Sequence, residues 1–120
     1  MAAILHVESD DSQRELYSGI LRGKGYGVVE AKGGAEALER LGKKGMDLVV
    51  LGLGLDGDPS LDLIPQILGR HKKMPIIIHT AYAVYRDNWR SWSADAFIVK
   101  QKSGEELCSE VGRILAKKRS

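Results

Sequence analysis

The strongest constraint on the fold is a regular alternation between short apolar runs and amphipathic helical segments. The apolar runs are bounded by turn or polar residues, as buried parallel strands are; they begin at Ala3, Gly27, Leu48, Ile76 and Ala96. Helical patterns follow each run, at residues 16–21, 35–41, 61–68, 84–92 and 107–115. Because parallel strands need crossover connections, this order predicts an α/β fold, a doubly wound five-stranded parallel sheet with five helices. We expect one domain over residues 1–120.

Charge and composition exclude several classes of protein. The formal net charge is +2, from 18 basic and 16 acidic side chains, which is too mild to indicate nucleic acid or an anionic membrane as partner. The single cysteine, Cys108, excludes an internal disulfide and fits a reducing compartment. Neither a signal peptide nor an apolar stretch of membrane-spanning length is present. We therefore expect a cytoplasmic protein.

Functional residues of doubly wound sheets gather at the carboxyl ends of the strands. The five segments that contain these strands have a recognisable order and spacing. They read Ile4-Leu5-His6-Val7-Glu8-Ser9-Asp10, Gly25-Tyr26-Gly27-Val28, Asp47-Leu48-Val49-Val50-Leu51, Pro75-Ile76-Ile77-Ile78-His79-Thr80-Ala81 and Ala94-Asp95-Ala96-Phe97-Ile98-Val99-Lys100. Together they resemble the response-regulator receiver domain of two-component signalling over essentially the whole chain. The resemblance implies a flavodoxin-like sheet with strand order 2-1-3-4-5.

The resemblance also implies a phosphorelay function. A working receiver moves a phosphoryl group from a partner's phosphohistidine to its own aspartate, with Mg²⁺ and a lysine offsetting the charge. In this chain Gly52 stands at the acceptor position and Ser9 at the second acidic position, so Glu8 is the only retained acidic ligand. Aspartyl phosphorylation should therefore fail, and Mg²⁺ binding should be weak or lost. No other cofactor is expected.

Three further residues of the family pattern are retained in type, namely Lys100, Thr80 and Phe97. Surviving chemistry is one interpretation of the lysine and the threonine. The favoured interpretation is structural: the Lys100 ammonium forms an ion pair with Glu8 or a loop carboxylate, and the Thr80 hydroxyl satisfies backbone groups.

The loop after the third strand leaves two alternatives open. Asp56 and Asp58 could be displaced acceptors or cation ligands, although turn and N-cap roles suit them better. Residues 52–57 also read G-x-G-x-x-G, which raises a nucleotide-binding module as a second alternative. The acidic residues and Pro59 that follow disfavour it, because they place negative charge where phosphates would bind.

Aromatic residues mark the predicted fourth helix. Tyr85, Trp89 and Trp92 fall at i, i+4 and i+7, with Tyr82 just before them. Such spacing is usual for a core-facing stripe, but three rings are too many for one short helix. We expect one or two rings to pack inward and at least one to be exposed as a partner-binding anchor.

These observations predict a signalling module that is not an enzyme and works through protein contacts, independently of phosphorylation. Its expected partners are a histidine kinase or a downstream effector, with no nucleic acid and no membrane. A homodimer through the face formed by the fourth helix, the fifth strand and the fifth helix is a further expectation.

Overall fold

The computed structural model describes residues 1–43, 45–54 and 58–118. Its strands are β1 (Ala3–Val7), β2 (Gly27–Ala31), β3 (Leu48–Leu53), β4 (Ile76–Thr80) and β5 (Ala96–Val99). Its α-helices are α1 (Asp11–Gly23), α2 (Gly34–Lys43), α3 (Leu63–Arg70) and α4 (Glu105–Lys118). The described residues also contain three 3₁₀ turns, at Pro59–Asp62, Ala83–Asp87 and Trp89–Ser93. We call the last two the tandem turns.

All neighbouring strands pair in parallel, in the order β2-β1-β3-β4-β5, which confirms the predicted sheet. Alternate residues of each strand point to opposite faces, so each face has its own core. One core lies between the sheet and α2 with α3, and it contains Leu5, Val49, Leu51, Ile76 and Ile78. The other lies between the sheet and α1 with α4, and it contains Ile4, Leu48, Val50, Ile77 and Ile98.

Local signals fix where the helices begin and end. The Asp10 carboxylate caps α1 by accepting a hydrogen bond from the Gln13 amide at 2.9 Å. The chain leaves α1 through Gly25, whose φ of 95° is a conformation that glycine adopts without strain. Pro65 lies in the first turn of α3, where its missing N–H removes no helical hydrogen bond. Among the helices of the described residues, none combines the length and apolar character needed to cross a bilayer.

The prediction of a fourth helix over residues 84–92 is wrong, and the described residues contain four α-helices. Residues 83–93 form the tandem turns, separated at Asn88, which has an extended backbone with φ −80° and ψ 128°. The Asn88 side chain accepts a hydrogen bond from the Arg90 amide at 2.9 Å and so starts a new turn. This segment is rich in aromatic residues, which are weak helix formers, and in short polar residues, which favour caps and turns over helix interiors.

Candidate functional site

The carboxyl ends of β1, β3 and β5 bring together Glu8, Gly52 and Lys100. The Lys100 Nζ atom lies 2.7 Å from Glu8 Oε1. This ion pair is buried, since the Glu8 side chain is 3% exposed and the Lys100 side chain 11% exposed. The predicted pairing of Lys100 with Glu8 is confirmed. A buried lysine of this kind is tolerable only because its charge is matched by a carboxylate at hydrogen-bond distance.

The Glu8 carboxylate occupies the space that a side chain at position 52 would need. A Cβ atom placed on Gly52 would lie 2.2 Å from Glu8 Oε1 and 2.9 Å from Glu8 Cδ. The same atom would lie 3.1 Å from the Val7 carbonyl oxygen, which cannot move without shifting β1. β1 therefore places a negative charge beside Gly52 of β3, and this charge is paired with the Lys100 ammonium.

The remaining contacts of Glu8 hold the carboxylate in this position. Its Oε2 atom accepts a hydrogen bond from the Asp10 amide at 3.1 Å, and its carbonyl oxygen accepts one from Arg14 Nη1 at 2.8 Å. Ser9, between Glu8 and Asp10, is exposed. Both Glu8 carboxylate oxygens are thus engaged within the protein.

These residues do not fit a magnesium ion. The ion requires hard oxygen ligands in near-octahedral geometry, and Gly52 offers no side-chain ligand there. The Glu8 carboxylate is engaged by Lys100, and the Ser9 hydroxyl is a weaker ligand than a carboxylate. Within residues 1–43, 45–54 and 58–118, no group of three His, Cys, Asp or Glu side chains could hold a metal ion.

Thr80 and Phe97 have structural contacts. The buried Thr80 hydroxyl donates to the Leu53 carbonyl oxygen at 2.8 Å and accepts from the Tyr82 amide at 3.1 Å. The interpretation that this hydroxyl satisfies backbone groups is confirmed. Phe97 is half-buried against the core, and the Arg86 guanidinium lies 4.9 Å from its ring centroid.

Asp58 is an N-cap residue, as its alternative interpretation predicted. Its Oδ1 atom accepts from the Ser60 amide at 2.8 Å, and its Oδ2 atom accepts from the Gly54 amide at 2.7 Å. Asp58 caps the 3₁₀ turn Pro59–Asp62 through the first of these bonds. Asp56 lies outside the described residues. Gly52 lies inside β3, and residues 52–54, the described part of the glycine motif, contain no helix N-terminus.

Two buried histidines lie beneath the ion pair, on the α1 side of the sheet. His6 Nδ1 is 2.8 Å from the Ser18 hydroxyl, and the Tyr17 ring meets the His79 ring edge-on with centroids 4.5 Å apart. Burial, with a smaller contribution from the nearby Lys100 charge, lowers the pKa of His6 to about 4 and that of His79 to about 3. Both imidazoles are therefore neutral core groups.

The aromatic residues of the tandem turns divide into a buried and an exposed set. Tyr85 is 3% exposed, whereas Trp89 is 68% exposed and Trp92 is 72% exposed. The prediction of at least one inward and one exposed ring is confirmed, although the rings stand on turns. Tyr82 and Val84 are also exposed. We call Tyr82, Val84, Trp89 and Trp92 the aromatic surface.

The aromatic surface is tied to neighbouring elements by arginine contacts. Arg90 forms an ion pair with Asp62, the last residue of the turn that precedes α3, and its guanidinium lies 5.8 Å from the Trp89 ring centroid. The second tandem turn is therefore held against the α3 end of the molecule.

The sequence profile of the response regulator receiver domain matches residues 4–112. The chain therefore belongs to this family, whose members are signalling modules of two-component systems. It is 33% identical over 118 residues to the two-component response regulator PhoP of Pseudomonas aeruginosa. That match covers 93% of this chain and 51% of PhoP, so the chain spans about half the length of this relative.

Solved structures agree with this assignment. The fold matches the response regulator TrrA of Thermotoga maritima, in complex with Mg²⁺ and BeF, with a TM-score of 0.89 and 34% identity. That match covers 95% of this chain and 99% of the TrrA chain. A second structure contains TrrA bound to the histidine kinase ThkA, and there the TM-score is 0.86 at 35% identity, covering 96% and 99% of the two chains.

Proposed function

We propose that this chain is a receiver domain whose conformation is not set by aspartyl phosphate and which acts by binding other signalling proteins. The observation that carries this proposal is the position of the Glu8 carboxylate, which fills the side-chain space at Gly52 and neutralises Lys100. Phosphoryl transfer requires a nucleophile, a metal ion and a cation free to meet the developing charge. At this site the nucleophile is absent, the residues do not fit the metal, and the lysine is already paired.

The aromatic surface is the proposed binding face. Two tryptophans exposed by more than two thirds leave apolar area in water, and such side chains commonly anchor protein interfaces. Because TrrA forms a complex with a histidine kinase, a histidine kinase or a downstream effector is the proposed partner. A homodimer through the tandem turns, β5 and α4 is a second possible use of this face. Nucleic acid, membrane and catalysis have no part in the proposal, which places the chain in the cytoplasm as one domain.

The two alternative functions have less support. A displaced acceptor at Asp58 would have to release two backbone hydrogen bonds before its carboxylate could attack a phosphoryl group. A nucleotide on the glycine motif would meet the Asp58 carboxylate where a helix N-terminus should face its phosphates. Asp56 is left as the alternative acceptor that experiment must address.

Incubation with acetyl phosphate and Mg²⁺, followed by intact-mass measurement, tests the proposal. The wild-type chain should gain no phosphoryl group under conditions in which TrrA, as a positive control, does. A stable phosphoryl adduct on the wild type would refute phosphorylation independence. Loss of that adduct in Asp56→Asn or Asp58→Asn would identify the displaced acceptor. A thermal shift with adenine, nicotinamide and flavin nucleotides should be flat.

A further inference from the structure

The buried tyrosine of the tandem turns reaches the loop beside the degenerate site. The Tyr85 hydroxyl donates to the Gly54 carbonyl oxygen at 3.2 Å and accepts from the Asp58 amide at 3.3 Å. Its ring packs in the core formed by the sheet, α2 and α3. A buried tyrosine hydroxyl usually has a hydrogen-bond partner, and here both partners belong to the backbone that follows β3.

A second hydroxyl makes a parallel connection one residue earlier on β3. Thr80 donates to the carbonyl oxygen of Leu53, the residue before Gly54. The Gly54 amide is held in turn by the Asp58 carboxylate at 2.7 Å. The end of β3 is therefore joined to the start of the tandem turns through consecutive carbonyl groups, one bound by Thr80 and one by Tyr85.

We infer that Tyr85 is a positioning residue, whose hydroxyl fixes the aromatic surface relative to the end of β3. This inference rests on the proposed function of that surface. Val84, Trp89 and Trp92 are exposed around an inward-facing Tyr85, so the orientation of the tandem turns depends on where the Tyr85 ring and hydroxyl are held. The hydrogen bonds of Tyr85 involve protein groups alone and require no phosphoryl group. The aromatic surface should therefore keep one orientation whether or not a phosphoryl donor is present.

Hydrogen exchange of the full chain tests the inference with Tyr85→Phe, which keeps the ring and removes only the hydroxyl. The amides of residues 82–93 and 58–62 should exchange about two- to tenfold faster, the range expected for losing one or two modest hydrogen bonds from a locally opening segment. Amides of β1 and β2 should be unchanged. Tyr82→Phe is the matched control, because it removes a hydroxyl from an exposed ring in the same segment, and it should leave exchange unchanged.

Thr80 provides a second pair of variants. Thr80→Val has nearly the same shape and lacks the hydroxyl, so it should also accelerate exchange in residues 82–93, whereas Thr80→Ser should restore slow exchange. Since both tryptophans lie in the tandem turns, fluorescence anisotropy should fall in Tyr85→Phe and stay unchanged in Tyr82→Phe. Unchanged exchange in Tyr85→Phe, or equal acceleration throughout the chain, would overturn the inference. No partner is used, so that failure would leave the proposed function standing.

Discussion

Gly52→Asp places an aspartate at the proposed acceptor position, and the structure predicts that it destabilises this protein. The new Cβ would lie 2.2 Å from Glu8 Oε1, so the Glu8 carboxylate must move while remaining close to a second carboxylate. Two like charges about 5 Å apart repel by about 3 kcal/mol at an effective dielectric constant of about 20. Attraction of the new carboxylate to the Lys100 ammonium offsets part of this repulsion, and crowding adds to it, so we expect a net loss of about 1–3 kcal/mol at pH 7.

Gly52→Asp should stabilise the protein, instead of destabilising it, when the charge at position 8 is removed by substitution. Glu8→Gln alone leaves the Lys100 ammonium buried without its carboxylate, which costs about 3–5 kcal/mol. Adding Gly52→Asp to that variant supplies a new carboxylate for Lys100, while the uncharged side chain at position 8 no longer pairs with Lys100 and can rotate away from the new Cβ, so the double variant should be more stable than Glu8→Gln. Gly52→Ala is the uncharged control and should cost about 1 kcal/mol through crowding alone.

Urea unfolding followed by circular dichroism measures these four variants against the wild type. In addition, Mg²⁺ should stabilise Gly52→Asp, which has two carboxylates, and leave the wild type unchanged. An equal change in the free energy of unfolding, in sign and size, on adding Gly52→Asp with and without Glu8→Gln would refute this prediction. Such additivity would mean that the two positions do not share one site.

Three other predictions follow from the described contacts. Lys100→Met should lower the free energy of unfolding in urea by about 3–5 kcal/mol, because it leaves the Glu8 carboxylate buried without its ammonium partner. A loss below about 1 kcal/mol would contradict a buried ion pair. His79 has a folded pKa of about 3, below its ordinary 6.5, so its contribution to stability is complete above pH 6.5 and is lost as the pH falls towards 3, by up to about 1.4 kcal/mol per pH unit. His79→Leu should reduce the slope of stability against pH between pH 6 and 4 and leave the part due to His6, and an unchanged slope would assign it to other groups. Trp89→Ala and Trp92→Ala should each change the stability by less than about 0.5 kcal/mol, since both rings are exposed; thermal unfolding checks this, and a larger loss would show that the rings pack in the fold.

Much of the fold follows from local patterns in the sequence. Apolar runs such as that ending at Leu51 are short, β-branched and bounded by turns, so their identity as buried parallel strands does not depend on distant contacts. The expectation that Gly52 stands at the acceptor position came from the resemblance to the receiver family. The Lys100 ion pair was predictable because a buried lysine at a strand end requires a carboxylate, and Glu8 follows β1 at the same edge of the sheet.

The unpredicted features depend on three-dimensional distances. The spacing of Tyr85, Trp89 and Trp92 suits an α-helix, but the capping side chain of Asn88 and the weak helix propensity of its neighbours favour two turns. That the Glu8 carboxylate lies over Gly52 depends on the approach of β1 to β3 and on one side-chain conformation. The partners of Tyr85 lie 27 and 31 residues away, and only the rule that a buried hydroxyl needs a partner could have suggested them.

We propose that the Glu8–Lys100 ion pair has replaced the phosphoryl switch. Titration of the ¹⁵N-labelled chain with BeF and Mg²⁺, followed by amide chemical shifts, tests it most directly, with TrrA as the control because that protein forms a complex with both. In the wild type, the amide chemical shifts of Gly52, Thr80 and Lys100 should show no saturable change under conditions that saturate TrrA. Saturable shifts at these three residues would contradict it.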